Sequence, residues 1–140
     1  MPSRKHQALA QLLLEHPALL VELVRRNLGV HLPEDLELVR GPETVRLGYS
    51  DRVADGAVVF RGRRGGAEET IVLEVQLRRD RRKRKAWAIY VVGTWAQLDC
   101  PTTLVVVTGS PGVARWATEP IDLGRGRMVL HPLVLGPEQI

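Results

Sequence analysis

Two segments rich in β-branched residues, separated by a short glycine-rich stretch, constrain the fold of this chain more than any other feature. Val53 to Phe60 and Thr70 to Leu77 are both typical of β-strands. The stretch between them, 61–69, reads Arg-Gly-Arg-Arg-Gly-Gly-Ala-Glu-Glu, a polar sequence that favours a turn. Two strands joined in this way predict an antiparallel β-hairpin.

The residues before the hairpin predict two helices. Ser3 is positioned to cap the first helix, Pro17 is suited to open the second, and Gly29 predicts its end. A connection from His31 to Pro42 follows, with a short strand expected at Leu36 to Val39. The apolar faces that we expect are Leu9, Leu12 and Leu13 in the first helix, and Leu19, Leu20, Leu23 and Val24 in the second.

The residues after the hairpin predict a helix and a buried strand. Asp80 is positioned to cap a helix from Arg81 to about Leu98, and Thr103 to Thr108 is a continuous apolar run. A crossover of this kind is right-handed. Pro111 to Trp116 predicts a short helix, and Met128 to Leu135 predicts a final strand with a proline inside it. The apolar face that we expect for the long helix is Trp87, Val91, Trp95 and Leu98.

Length and composition place the chain in a broad class. Its 140 residues predict a single α/β domain with a mixed sheet. The longest apolar stretches, 88–92 and 104–107, are too short to cross a bilayer, and the basic N-terminus lacks the apolar core of a secretory signal. We therefore expect a cytoplasmic protein without a membrane partner. Cys100 is the only cysteine, and the four histidines have no zinc-like spacing, which argues against a disulfide or a zinc site.

Positive charge is concentrated in one central segment. The net charge is +4, but Arg61 to Lys85 alone contains ten basic and four acidic residues. A basic patch of this kind suits a polyanion such as nucleic acid, because each neutralised phosphate releases condensed counterions. The alternative is a solvated surface in an arginine-rich chain, since 17 of its 20 basic residues are arginine.

Three oxygen-bearing side chains converge near one end of the predicted hairpin. A symmetric hairpin pairs residues whose numbers sum to about 130, which places Asp55 within one residue of facing either Glu74 or Gln76. Two carboxylates held this close repel unless a cation or a proton joins them, and oxygen ligands suit Mg²⁺ or Mn²⁺. The alternatives are a turn at Asp55, a solvated side of the second strand, or an arginine partner for Glu74 from Arg78 or Arg79.

These residues, in this order, resemble the PD-(D/E)XK nuclease superfamily. Asp55 is followed by a hairpin and then by Glu74-Val75-Gln76, the pattern of the bacterial Rpn/transposase-associated branch, in which glutamine replaces the motif's lysine. The stretch 80–90 resembles the Asp-x-x-Lys…Trp-x-x-Tyr helix of that branch. Residues 114–117 and 132–137 also resemble its members, so the similarity covers nearly the whole chain.

The resemblance implies a fold and an activity. The fold is a restriction-endonuclease-like αβββαβ core with a mixed central sheet flanked by helices, formed by residues 1–140 as one domain. This domain is expected to be the N-terminal part of a longer protein, since residues 135–140 resemble a mid-chain segment of longer relatives. The activity is that of a phosphodiesterase dependent on Mg²⁺ or Mn²⁺ that acts on DNA, with RNA as an open alternative and mobile-element function, defence or repair as open roles.

The resemblance also assigns roles to residues. Asp55 and Glu74 correspond to the metal ligands, and Gln76 stands where the superfamily has lysine, so it would orient water or offer its carbonyl to the metal. Gln76 carries no charge, and Lys83, which lies on the same helix face as Trp87 and Tyr90, is the candidate for the missing cation. The predicted contacts to nucleic acid are Arg78, Arg79, Arg81, Arg82, Lys83 and Lys85.

Two other functions stay open at this point. A nuclease-like fold without catalysis would bind nucleic acid or a protein, and the exchange of lysine for glutamine favours it. A homodimer would form if the final strand, Met128 to Leu135, offers an edge. The segment Thr108-Gly109-Ser110-Pro111-Gly112 follows a strand, but it lacks the lysine and the spacing of a phosphate-binding loop.

Overall fold

The fold was analysed in a computed structural model, which describes residues 3–41, 44–46 and 51–140. Pro42, the predicted end of the connection after the second helix, lies outside these residues. Within them the helices are α1 (Arg4–Glu15), α2 (Pro17–Leu28), α3 (Arg81–Leu98) and α4 (Pro111–Thr118), and the strands are β1 (Glu37–Arg40), β2 (Thr44–Arg46), β3 (Asp51–Val53), β4 (Gly56–Arg61), β5 (Ala67–Val75), β6 (Thr102–Val107), β7 (Ile121–Asp122), β8 (Val129–Leu130) and β9 (Leu133–Leu135).

A five-stranded mixed sheet organises the domain, in the order β1-β4-β5-β6-β9. The first three of these strands pair antiparallel, and β5, β6 and β9 pair parallel. The parallel pair β5–β6 is joined by α3, because parallel neighbours need a crossover connection. The predicted single mixed α/β domain with a central hairpin is therefore confirmed.

The two faces of the sheet are covered by different helices. Alternate residues of β5 point to opposite faces, since side chains along a strand alternate. Ile71, Leu73 and Val75 pack in the cluster that includes α1 and α2. Val72 packs on the other face with Trp87 and Tyr90 of α3. Glu74 belongs by alternation to the same face as Val72, so it points toward α3.

The predicted helix boundaries are confirmed at their caps. Ser3 Oγ accepts a hydrogen bond from His6 N at the start of α1, and Asp80 accepts one from Arg82 N at the start of α3. Pro17 is the first residue of α2, and Gly29 ends it with φ of 62°, a conformation that favours glycine. Local capping chemistry therefore determines where these helices begin and end.

The predicted apolar faces of α1 and α3 are confirmed only in part. In α1, Leu13 is buried and Leu9 packs against the core as predicted, whereas Leu12 is 45% exposed and Ala10 and Leu14 are buried instead. Trp95 of α3 is 57% exposed. In α3 the buried residues are Ala86, Trp87, Tyr90, Gly93 and Thr94. Each predicted face thus combines residues that pack in the core, Leu13 in α1 and Trp87 in α3 among them, with one large apolar residue that is exposed.

The final predicted strand is divided at Pro132. Residues on one side form β8, which pairs with β7 in a small hairpin, and those on the other form β9 at one edge of the main sheet. Proline cannot donate a hydrogen bond to a ladder, which explains the division. The edge that we predicted for a homodimer is thus reduced to three residues, and dimer formation stays a prediction.

The helices were also compared with the length and hydropathy of a membrane span. No single helix in the described ranges is long and apolar enough to cross a membrane; α1 and α2 satisfy these criteria only as a pair that is bent by 93°.

Candidate functional site

Asp55 and Glu74 lie together at one end of the β4–β5 hairpin. The β4–β5 ladder ends with Gly56 opposite Leu73, and Asp55 is the residue just before β4. Both the backbone and the side chain of Asp55 contact the carboxyl group of Glu74. The structure therefore brings Asp55 to Glu74, at the end of the sheet where β5 finishes and β4 begins. We call this the carboxyl end of the sheet, since β6 also finishes there.

Asp55 is held by two hydrogen bonds to one oxygen. Its Oδ2 accepts from Val75 N at 2.7 Å and from His6 Nε2 at 3.0 Å. In the first bond, the Asp55 side chain takes the place of a backbone carbonyl, just beyond the last pair of the β4–β5 ladder. The second connects the hairpin to α1. Asp55 is consequently fixed in position, with its side chain only 18% exposed.

Glu74 is a buried carboxyl group with incomplete partners. It is 1% exposed, and its Oε1 has no hydrogen-bond partner among the described residues. Its Oε2 lies 4.0 Å from Lys83 Nζ, too far for a hydrogen bond but close for an opposite charge. The pKa of Glu74 is raised to about 8, mainly by burial and in addition by the negative charge of Asp55, while Lys83 and a backbone hydrogen bond from Asp55 act to lower it. An isolated carboxyl group here is therefore biased toward its protonated form.

Lys83 reaches this position because of where α3 begins. The Asp80 cap starts the helix beside the end of β5, and the first turn then projects toward the carboxyl end of the sheet. Lys83 shares one helix face with Trp87 and Tyr90, both buried against the sheet. The structure therefore brings Lys83 to Glu74, while its role in chemistry stays a prediction. The chain has only three lysines against 17 arginines, and one of them occupies this position.

Gln76 lies on the same face but is already engaged. It is buried, and its Nε2 donates to the carbonyl of Arg78 at 2.6 Å. Its backbone N–H donates to Val107 O, which joins the end of β5 to β6. Only the side-chain oxygen of Gln76 is left to act on water or on a ligand.

Most of the predicted basic contacts are exposed to solvent, whereas a neighbouring arginine in the same segment is held by the protein. Arg78, Arg79, Arg81, Arg82 and Lys85 are exposed, and they lie between the end of β5 and the first turn of α3. Arg84, which was not predicted as a contact, donates to the carbonyls of Trp116, Glu119 and Pro120 and stacks on the Trp116 ring. This segment thus contributes one arginine to packing and leaves the others in solvent.

His6 is the site residue that the sequence reasoning missed. Its spacing excludes only a zinc site, whereas the structure pairs it with Asp55, and its buried Nδ1 has no partner among the residues that the structure describes. The signal was present: His6 precedes Ala10, Leu13 and Leu14 at helical spacing, so it belongs to the buried face of α1. Helical spacing predicts the burial of His6 but not its partner, because Asp55 lies 49 residues further along the chain.

Comparison of the chain with protein-family models, with curated proteins and with solved structures found no match. The chemistry of the site is therefore argued from its own residues.

The fit of a divalent metal ion was tested against these residues. No group of three or more His, Cys, Asp or Glu side chains able to hold a metal occurs in the described part of the chain. What the site offers is the pair Asp55 and Glu74, with one buried carboxylate oxygen unpartnered. Mg²⁺ commonly binds through one or two carboxylates and completes its shell with waters and substrate phosphate. The pair fits such an ion, and the ion would offset the cost of burying an ionised Glu74.

The site is open to solvent on the side of α1. A cavity of about 580 Å³ is bounded by α1, by Arg40 of β1 and by Asp55. Arg4 and Gln7 also line it. A ligand approaching Asp55 from this side therefore meets basic and amide side chains rather than a third carboxylate.

Proposed function

We propose that this protein is a metal-dependent phosphodiesterase of the PD-(D/E)XK type that cleaves DNA. The order of elements supports the proposal, since α1, the β1–β4–β5 meander, α3 and β6 follow the αβββαβ pattern of a restriction-endonuclease-like core. The basic residues beside the site support a polyanionic substrate.

One observation carries the proposal: Glu74 is almost fully buried beside Asp55, its Oε1 has no hydrogen-bond partner among the described residues, and Lys83 Nζ lies 4.0 Å from its Oε2. Burying a carboxyl group without complete hydrogen bonding is destabilising by about 1–3 kcal/mol or more. A sequence that needed only a packed sheet would have an apolar residue here, as the neighbouring positions of β5 do. The arrangement is accounted for if the carboxylates hold a cation.

Each residue then has a distinct task. Asp55 and Glu74 would hold Mg²⁺ or Mn²⁺, which supplies an activated water and stabilises charge on the scissile phosphate. Lys83 would place its ammonium group beside that phosphate and would limit the repulsion between the carboxylates. Gln76 would orient water through its side-chain oxygen, and His6 would keep Asp55 in position.

Metal binding is tested by thermal denaturation with Mn²⁺ or Mg²⁺. We expect the ion to raise the melting temperature of the wild type and to leave Asp55→Ala and Glu74→Gln unchanged. Glu69→Gln is the matched control, since Glu69 lies on the same strand with an unpartnered buried Oε2, five residues away and on the other face. The proposed site would be contradicted if Glu69→Gln lost the metal-induced rise in melting temperature and Glu74→Gln kept it.

Cleavage is tested separately with supercoiled plasmid and Mn²⁺. We expect weak nicking by the wild type that Glu74→Ala eliminates. Activity that persists equally in Asp55→Ala and Glu74→Ala would indicate a contaminating nuclease.

A second candidate function is a nuclease-like domain that binds nucleic acid without cleaving it. The observation that favours it is the state of Asp55, whose Oδ2 already accepts two structural hydrogen bonds. The glutamine at position 76 favours it as well. DNA binding without nicking in any divalent ion, together with nicking by Gln76→Lys, would select this function over the enzyme.

A further inference from the structure

The segment from Thr108 to Gly112 lies at the carboxyl end of the sheet, next to the candidate site. It follows β6, and β6 is parallel to β5, with Val106 opposite Glu74. Ligands of open α/β sheets bind in the crevice outside the carboxyl ends of the strands. Ser110 caps α4 by accepting from Val113 N, so this segment turns the chain from β6 into the helix at that crevice.

Two arginines from different parts of the chain converge on this segment. A Cβ atom placed on Gly112 would lie 3.4 Å from Arg79 Nη2 and 3.8 Å from Arg115 Nη2. Arg79 belongs to the connection between β5 and α3, and Arg115 belongs to α4 itself. The two guanidinium groups are therefore close enough for one phosphate group to contact both, given hydrogen bonds of about 2.9 Å.

Neither guanidinium group is neutralised. Neither has an ion pair or a hydrogen bond with the residues at 3–41, 44–46 and 51–140, and both side chains are exposed. Arg84, a few residues away, shows the contrast, because three carbonyls hold its guanidinium group in place. Two positive groups this close to each other repel. An anion bound between them would turn the net electrostatic interaction from repulsive to attractive.

The backbone between the two arginines leaves room for such an anion. Gly112 has no side chain, and its N–H has no hydrogen bond to the described residues, whereas the N–H groups of Val113 and Ala114 donate to Ser110. This geometry adds to the arginine pair and would not suffice without it.

We propose that Arg79 and Arg115, together with the backbone at Gly112, form a binding site for a phosphate of the nucleic-acid strand, next to the one that is cleaved. The inference rests on the proposed function, and it adds Arg115 and the 108–112 segment to the predicted interface. In a phosphate-binding loop a lysine contacts the phosphate; here two arginines from outside the 108–112 segment would do so. The ligand is a phosphodiester of a polynucleotide, and a free phosphate is the alternative source of the same chemistry.

The site is tested by DNA binding in EDTA, so that neither metal binding nor cleavage enters the measurement. Fluorescence anisotropy with a short labelled duplex should show a Kd about tenfold weaker or more for the double variant Arg79→Gln/Arg115→Gln. The slope of log Kd against log salt should fall by about 0.9, the value of one phosphate contact on duplex DNA. The matched control is Arg63→Gln/Arg64→Gln, two exposed arginines of the β4–β5 turn at the other end of the sheet.

A second variant tests the location without removing an arginine. Gly112→Asp would place a carboxylate between the two guanidinium groups, and the position allows a side chain because its nearest neighbours lie at ordinary contact distance. We expect Gly112→Asp to weaken binding as much as the double variant without lowering the melting temperature, since an acidic residue suits the first turn of a helix. Gly112→Asn, the uncharged isostere, should keep most of the affinity.

The outcomes separate this inference from the proposed function. If the double variant and the Arg63→Gln/Arg64→Gln control lose the same affinity, or if Gly112→Asp binds like the wild type, the phosphate site is wrong whether or not the protein cleaves DNA. If inorganic phosphate displaces the duplex at equal phosphate concentration, the site takes free phosphate and the assignment to a strand is overturned. If the arginine variants behave as expected and no variant cleaves, the phosphate site stands and the enzyme proposal fails.

Discussion

The buried carboxyl group of Glu74 makes the stability of the metal-free protein depend on pH. Its pKa is about 8 in the folded protein, against an ordinary value of 4.5. Between these two values the folded state keeps a proton that the unfolded state loses, so stability falls as pH rises. Protonated Glu74 therefore contributes its full share of the folding stability below pH 4.5, and this contribution declines as the pH rises to about 8. The upper limit of the loss is on the order of 5 kcal/mol.

Glu74→Gln removes the ionisation and keeps the shape of the protonated acid. In EDTA we expect the variant and the wild type to have similar free energies of unfolding at pH 5. At pH 8.5 the variant should be more stable by several kcal/mol, a large share of the 5–15 kcal/mol that is typical of a domain. Urea denaturation at a series of pH values measures this difference, with Glu68→Gln as the control because Glu68 is an exposed carboxylate on the same strand.

The refuting result is a constant difference between Glu74→Gln and the wild type from pH 5 to 8.5. It would mean that the folded protein holds Glu74 ionised throughout, so that Lys83 compensates the burial fully. The reasoning about an uncompensated carboxyl group would then be wrong. A difference that grows equally in Glu68→Gln would assign the pH dependence to the overall charge of the chain.

Three further predictions concern the same region. Lys83→Ala should lower the rate of DNA nicking about 10²–10³-fold, because it removes a cation next to the reacting phosphate, and plasmid nicking measures the loss. Gln76→Lys should leave nicking intact or increase it in the same assay, since it restores the lysine of the superfamily pattern; a loss of activity would contradict the assigned position. Trp87→Ala should destabilise the fold by about 3–5 kcal/mol in urea denaturation, whereas Trp95→Ala should change it by less than about 0.5 kcal/mol, because only Trp87 is buried.

Features that depend on neighbours in the chain could be predicted from the sequence. Ser3, Pro17, Gly29 and Asp80 act on the backbone within a few residues, so the helix boundaries follow from them. The hairpin register was predicted to within one residue, because the connector length and the two-residue period of strands determine it. That register was sufficient to bring Asp55 to Glu74.

Features that depend on contacts between distant segments could not be predicted in the same way. The pairing of His6 with Asp55 requires α1 to meet the residue before β4, although the two are 49 residues apart in the chain. The convergence of Arg115 with Arg79 requires the connection after β5 and the helix after β6 to meet at one end of the sheet. Neither position carries a local signal that distinguishes it from an ordinary surface residue.

The chemistry at Glu74 is the strongest reason to assign this end of the sheet a function. Buried polar groups in native proteins are generally hydrogen-bonded, yet Oε1 of Glu74 has no partner in the described part of the chain, and the contacts of this carboxyl group are limited to Asp55 and to Lys83 Nζ at 4.0 Å from Oε2. A structural ion pair would bring the ammonium group into hydrogen-bond distance. Sequences depart from local stability rules mainly where function requires it. A carboxylate pair that is costly without a cation and well satisfied with one is the expected departure for a metal-dependent site.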